Sequence, residues 1–383
     1  MRRIPLIAVA MIVFLAGSCR RAEIAVPSPA ETSGSRLYTV GGFRVLTLVG
    51  TPEEMGRAHG TLLRDEVRWV ADKVIRGTVA RDPEAREEFL KRVDVMEKLL
   101  KDSWRRELKA LAEASGVDYR EIVALQLFGD VERAPLCSSF AVFGRATVGG
   151  ECIVGRNFDY WYEDVARHES LIIDYHPKDA RRFVTLSWTG VINGWTLMND
   201  CGIVTANNTA FSGGANSRSL EGLSTCFMLR KIAEEATTVD EGARIVEDSP
   251  RACPTNLIVA GGTPPAAAVV EYDHERVMVR RAKNDYVLAT NSFVALGQEK
   301  EDEPTYGRYG ILSGLIRENY GKIDRTMNFA AADGVPLESI NLHCALMFPK
   351  DLSFRAAMGT VPASRGTWGT FRMTPAGIEP AAP

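Results

Sequence analysis

The strongest constraint on this chain is a change of hydrophobic period near residue 136. Upstream, Phe89, Val93, Met96, Leu100, Trp104, Leu108 and Leu111 recur at three- and four-residue steps. That is the spacing of one long amphipathic helix, here stopping near Gly116. Thr51-Pro52-Glu53-Glu54 is a capping box with proline at the first helical position, opening a helix toward Ile75. Asp118 with Glu121 caps a further helix through Phe128, and residues 37–48 alternate like a strand pair turning at Gly41-Gly42. Downstream the period drops to two. Residues 138–143, 151–156, 171–175, 183–188 and 202–206 read as short strands joined by Gly and Asn turns. Helical spacing returns at 224–236 and 239–247, strands at 256–260, 267–272, 276–280 and 286–289, and a helix follows around 309–318. This order predicts an α+β sandwich of sheets and helices and not a βαβ repeat. No GxGxxG or GxxxxGK[ST] phosphate loop is present.

The usual catalytic constellations are missing too. There is no GxSxG elbow and no HExxH, and the chain has only five histidines: His59, His168, His176, His274 and His343. No CxxC or Cys/His spacing suggests a metal site. A hydrolase short of histidine needs another general base. A nucleophile's own freed α-amine, with a pKa of about 7.7–8.0, can fill that role. Cys137 suits it, lying where the helical segment gives way to the first strand in Leu136-Cys137-Ser138-Ser139-Phe140. Past the Gly149-Gly150 turn comes Gly155-Arg156-Asn157-Phe158-Asp159-Tyr160, so a hairpin would return Arg156 and Asp159 to the cysteine. A guanidinium there would lower the thiol pKa, and a carboxylate could hold the α-ammonium.

At this point the chain resembles the acyl-coenzyme A:isopenicillin N acyltransferase family of the N-terminal-nucleophile hydrolases. Choloylglycine hydrolases, penicillin V acylases and acid ceramidase are more distant relatives. The resemblance rests on five features in order: Gly56…His59-Gly60; Cys137-Ser138-Ser139-Phe140; the R-N-x-D-Y block at 156–160; Met198-Asn199-Asp200-Cys201-Gly202-Ile203-Val204 leading to Asn207-Asn208; and Ala289-Thr290-Asn291 followed by Arg308. It implies a four-layer αββα sandwich preceded by a mainly helical pro-segment. It also implies autocatalytic cleavage between Leu136 and Cys137, with Cys137 then the nucleophile. By the same resemblance Arg156 and Asp159 position and tune Cys137. Asn208, or its neighbour Asn207, supplies an oxyanion-hole amide, Asn291 contacts the α-amine and the reacting group, and Arg308 completes the site. The implied substrate is a small N-acyl amide, cleaved or transferred without metal or organic cofactor. Three other readings stand beside this one: a papain-like pair of Cys137 and His343, a lipid amidase like acid ceramidase, and a non-catalytic binding lipoprotein. His59 is expected to be a helix-packing histidine, and Trp161, Trp188, Trp195 and Phe211 core residues before pocket residues.

The N-terminus carries an address. Arg2-Arg3, an apolar stretch at 4–15 and small residues before Cys19 form a signal peptide with a lipobox-like end. The apolar stretch is too short to span a bilayer, which takes about 20 residues. The expectation is an exported bacterial lipoprotein, touching the membrane only through lipid on Cys19. Its expected parts are a signal peptide at 1–18, a tether at 19–36, a helical pro-segment at 37–136, a catalytic domain at 137–373 and a flexible tail at 374–383. The cleaved pro-segment should remain bound as a partner. With 46 basic against 49 acidic residues the chain has no field for nucleic acid. The remaining cysteines read mostly as small buried hydrophobes.

Overall fold

The computed structural model describes residues 34–79, 82–131, 136–210, 217–297 and 307–382. The signal peptide, Cys19, most of the tether and Phe211 lie outside the described residues. One nine-stranded sheet runs in the order β1 (Arg36–Val40), β2 (Phe43–Gly50), β5 (Ser170–Pro177), β6 (Phe183–Trp188), β7 (Thr196–Asn199), β8 (Ile203–Thr209), β9 (Thr255–Gly261), β10 (Ala266–Tyr272) and β11 (Val277–Arg281). A seven-stranded sheet runs β12 (Tyr286–Ala289), β3 (Leu136–Gly144), β4 (Gly150–Asp159), β13 (Asn341–Phe348), β14 (Ser353–Met358), β15 (Gly369–Thr374) and β16 (Gly377–Pro380).

Strand alternation sorts the apolar residues into layers. Val45, Ile172, Val184 and Val204 of the first sheet meet Ala141, Val154, Ala345 and Met347 of the second in one cluster, so the sheets pack face to face. The alternate residues of the first sheet, such as Leu46, Leu171, Ile173 and Leu257, bury against Val67, Leu108, Leu125 and Phe227 from helices. On the far side, Phe140, Val142 and Leu346 cover Tyr309, Leu312 and Ile316 of α9 (Gly307–Glu318). The result is helix, sheet, sheet, helix: the αββα sandwich.

The segment before residue 136 is mostly helical, as its period predicts, but it is not a separate layer. Its first hairpin, β1–β2, joins the nine-stranded sheet through parallel pairing of β2 with β5. The capping box at Thr51 forms as read, with Glu54 Oε2 accepting from the Thr51 nitrogen at 2.7 Å and Thr51 Oγ1 accepting from the Glu54 nitrogen at 3.3 Å. It opens α1 (Pro52–Leu62), but the helix expected to reach Ile75 breaks at Leu63 and resumes as α2 (Arg64–Ala71), passing into a wider π turn at Asp72–Val79. The long helix is likewise two, α3 (Pro83–Glu97) and α4 (Asp102–Ser115). All seven stripe residues are buried, so the stripe was right and its continuity was not. The halves have different partners, α3 packing on α5 (Tyr119–Val131) and α4 on α1. Gly56 and Gly60 make the second contact: a Cβ on them would sit 2.1 Å from the Glu107 carbonyl oxygen and 2.7 Å from that of Leu111.

Two further corrections come from the C-terminal third. The flexible tail expected at 374–383 is not borne out where it is described, through residue 382. β15 turns back as β16, Ile378 buries in the inter-sheet cluster, and its nitrogen donates to the Tyr38 hydroxyl at 3.0 Å. One apolar anchor in a Pro- and Ala-rich stretch left almost no period to read. β13 was also unread, because a strand buried along its whole length shows no alternation. α6 (Glu163–Glu169), α7 (Thr225–Glu235) and α8 (Val239–Glu247) complete the helices used below. Among the described residues no helix is long and apolar enough to cross a membrane. Cys137, Cys152, Cys201, Cys226, Cys253 and Cys344 are free thiols.

Candidate active site

β3 and β4 form the hairpin inferred from the Gly149-Gly150 turn, where both glycines take φ near +70°. Its register sets Cys137 opposite Phe158 and Ser139 opposite Arg156. Cys137, Ser139 and Arg156 therefore share the face turned toward the other sheet, where β8 brings Asn208. On the opposite side of β3, β12 pairs Ala289 with Ser139, and continuing that register two residues sets Asn291 beside Cys137.

The six residues singled out from sequence meet in one buried network. Arg156 Nη2 donates to Cys137 Sγ at 3.1 Å and Nη1 to Asn208 Oδ1 at 2.8 Å. The Cys137 nitrogen donates to Asn291 Oδ1 at 3.1 Å, and Arg308 Nη2 reaches the same oxygen at 2.5 Å. Arg308 Nη1 donates to Asp159 Oδ2 at 3.0 Å. Asn291 is held in turn by its Nδ2, which donates to the Thr209 carbonyl at 2.5 Å.

Three details differ from the expected roles. Asp159 does not hold the Cys137 nitrogen. Asp159 is the residue after the inward-facing Phe158, so it lies on the opposite face of β4, toward α9, and acts on that nitrogen through Arg308 and Asn291. Asn208 Nδ2 is already engaged, donating to Ser139 Oγ at 2.7 Å and to the Asn256 carbonyl at 3.3 Å. A flipped amide would set donor against the Arg156 guanidinium and acceptor against a carbonyl, so this orientation is forced. In the uncleaved chain, then, Asn208 fixes Arg156. Finally, burial pushes the Cys137 thiol up more than Arg156 pulls it down, and the net direction is upward. Burial likewise pushes the Asp159 carboxyl up to about 6, against hydrogen bonds and charge from Asn341, Arg308 and Arg156.

Asn207 alternates to the other face of β8, where its Oδ1 is buried without a partner in a small cavity beside Gln126, Trp195, Cys226 and Thr255. His343 does not reach Cys137. It sits on β13 with β4 intervening, about 10 Å away at two strand spacings. Its Nε2 pairs with Thr196 Oγ1 at 2.9 Å, and burial first, then the Arg156 charge, keeps it well below the ordinary histidine range. A papain-like pair is not assembled. His59 packs as expected, accepting from the Gly190 nitrogen at 3.0 Å, with burial lowering its pKa to about 3. Trp188 and Trp195 stack into a buried aromatic core with Phe158, whose ring centroid is 4.5 Å from that of Trp195. Sequence reasoning missed Ser139 and Asn256 as the residues that orient Asn208, and Asn341 on the Asp159 carboxylate. None belongs to a spacing pattern; only the sheet register brings them in.

A family model described as acyl-coenzyme A:6-aminopenicillanic acid acyl-transferase matches residues 147–315. That span contains Arg156, Asp159, Asn208, Asn291 and Arg308 and begins after Cys137, and the resemblance read from the sequence has this match behind it. Protein dcd1A of Dictyostelium discoideum is 22% identical over 389 residues, covering 90% of this chain and 86% of that protein. Protein dcd1B of the same organism is 25% identical over 279 residues, covering 65% of this chain, which spans only about half (55%) of that relative. Among solved structures, an N-acylethanolamine-hydrolyzing acid amidase ortholog from Caenorhabditis elegans is similar at TM-score 0.44 and 16% identity, over 56% of this chain and 93% of that one. Over residues 147–315 the chain is thus similar to an acyl-transferase family.

Proposed function

We propose that this chain is an autoprocessed N-terminal-nucleophile enzyme that uses Cys137 to cleave or transfer the acyl group of an N-acyl amide. One observation carries the reading. Both ends of the reacting residue are gripped, the sulfur by Arg156 and the nitrogen by Asn291, although that nitrogen is an ordinary amide until the Leu136–Cys137 bond is broken.

The chemistry follows from those contacts. In processing, Cys137 Sγ attacks the Leu136 carbonyl, the acyl group shifts from nitrogen to sulfur, and water releases the Leu136 carboxylate and leaves Cys137 with a free amine. In turnover, that amine takes the thiol proton, the sulfur attacks the substrate carbonyl, and the proton passes to the departing amine. Water or a second amine then takes the acyl group. Asn208 would present Nδ2 to the oxyanion by giving up the Ser139 hydroxyl, and losing one such donor costs about 10²–10³ in rate. The small chain stays docked through its strands in the nine-stranded sheet and its buried helical stripe. Export and lipidation at Cys19 would set the enzyme at a membrane surface, and Cys19→Ser should abolish lipid labelling.

The deciding experiment is intact mass and N-terminal sequencing of the wild-type and Cys137→Ala chains. Two fragments, the larger starting at Cys137, are expected from the first and one inactive chain from the second. A fully active enzyme with the Leu136–Cys137 bond intact overturns the mechanism. Screening the processed protein against N-acyl amino acids, penicillins, bile-salt conjugates and N-acyl lipids would name the acyl group.

A further inference from the structure

Asp159 is completely buried, and its carboxylate is hydrogen-bonded by Arg308 and Asn341 and not by Arg156. What holds it comes largely from a part of the chain beyond the family match. Asn341 opens β13, is itself fully buried, and donates from Nδ2 to Asp159 Oδ1 at 2.8 Å. Its other end is anchored by the Ser364 nitrogen, which donates to Oδ1 at 2.8 Å; the Cys344 sulfur lies 3.2 Å from the same oxygen and 2.7 Å from Asn157 Oδ1. A reversed amide would face its oxygen to the carboxylate and to Asn157 Oδ1, 3.4 Å from Nδ2, and its NH₂ to the Ser364 N–H. The orientation has one solution. A register shift between Asn341 and His343 in the pairing with β4 turns Asn341 toward Asp159. That irregularity is where a strand re-aims a side chain.

We propose that Asn341 is a positioning residue for the cysteine site: its amide holds the Asp159 carboxylate toward Arg308, and through Arg308 and Asn291 fixes the nitrogen of Cys137. The proposal rests on the reading of Cys137 as the nucleophile. Its consequences run along a chain of contacts already given, Asn341 to Asp159, Asp159 to Arg308, Arg308 to Asn291, Asn291 to the Cys137 nitrogen. A protonated Asp159 would weaken the second link and with it the hold of Arg308 on the Asn291 amide oxygen. The charged or titratable groups that face Asp159 are Arg308 from α9, Arg156 from its own strand, Cys137 from β3 and Cys344 from β13. Arg308 and Arg156 favour the carboxylate, and burial opposes it. Among the groups that lower the carboxyl's pKa, Asn341 ranks first.

The test reads Asp159 itself and then the site. In the full Cys137→Ala chain, which cannot process, the Asp159 carboxyl is followed by carbon NMR against pH in the presence and absence of Asn341→Asp and Asn341→Ala. A midpoint raised by about one pH unit or more is expected in both variants, with the larger rise in Asn341→Asp, where a second carboxyl adds like charge. Asn341→Ser, which keeps a hydroxyl donor and is the least disruptive change, should restore most of the shift. In the Cys137 background the acid limb of processing should move by the same amount. A midpoint unmoved in Asn341→Ala, whatever happens to thermal stability, overturns the proposal and leaves Asn341 a packing residue. A wild-type chain that never processes counts against the functional reading alone, since the titration still decides the role of Asn341.

Discussion

Among the described residues two arginines lie in the core, and they are used in opposite ways. Arg230, on α7, is met by carboxylates: Nε donates to Glu234 at 2.8 Å, Nη2 to Glu107 at 2.6 Å, and Nη1 to the Ile192 carbonyl at 2.7 Å. Arg156, equally buried, has no carboxylate among its hydrogen-bond partners. It has a thiol and an amide oxygen, and its Nε has no partner. A buried charge matched by counter-charges holds elements together. One left electrically unmatched lends its charge to the nearest group that can become an anion, here the Cys137 sulfur. Glu107 belongs to α4 and Arg230 to α7, so the matched cluster also ties the segment before residue 136 to the sheets after it.

The contrast can be broken by substitution. Arg230→Ala should cost most, about 3–5 kcal/mol of stability by denaturant unfolding, because it strands the buried Glu107 carboxylate and leaves Glu234 only Lys101 as a cationic partner. If thiol reactivity falls further than stability, the division of labour is wrong. Arg156→Ala should do the reverse. Alkylation of Cys137 by iodoacetamide should slow by about tenfold or more while the unfolding midpoint moves little. Equal reactivity of Cys137, Cys226 and Cys344 in the wild type would remove the electrostatic argument. Asp159→Asn sharpens the comparison through pH. The folded carboxyl keeps its proton to about 6, above its unfolded value near 3.8, so the native state binds the extra proton between them. Stability in the Cys137→Ala chain should fall as pH rises from about 4 to about 6, and Asp159→Asn should flatten that fall. The smallest effect serves as reference: Thr51→Ala removes a helix cap that hydrogen-bonds to neither arginine and should cost about 1 kcal/mol, with no change at Cys137.

How much of this was legible in the sequence depended on whether a pattern or a register carried it. The hairpin that joins Cys137 to Arg156 was readable from alternation on both sides of a double-glycine turn. The face on which Asp159 emerges was not, because one residue of register decides it and the loop was too long to count across. Asn341 lies in a run whose every residue is buried, so no polar period marks it out from its neighbours. The stripe from Phe89 to Leu111 identified buried residues correctly and still hid a break, since a turn that preserves the apolar face leaves the spacing intact. β16 failed for the opposite reason, having a single apolar anchor.

The hydrogen bond from Arg36 Nη2 to the Ala376 carbonyl, 2.6 Å long, brings the first and last strands to one corner of the sandwich. A gene rearranged there becomes feasible. Joining residue 382 to residue 34 by a linker, and opening the chain between Leu136 and Cys137, yields a circular permutant translated with Cys137 directly after the initiator methionine. Removal of that methionine by the host aminopeptidase would hand the cysteine its free amine with no self-cleavage at all, so maturation and turnover could be engineered apart.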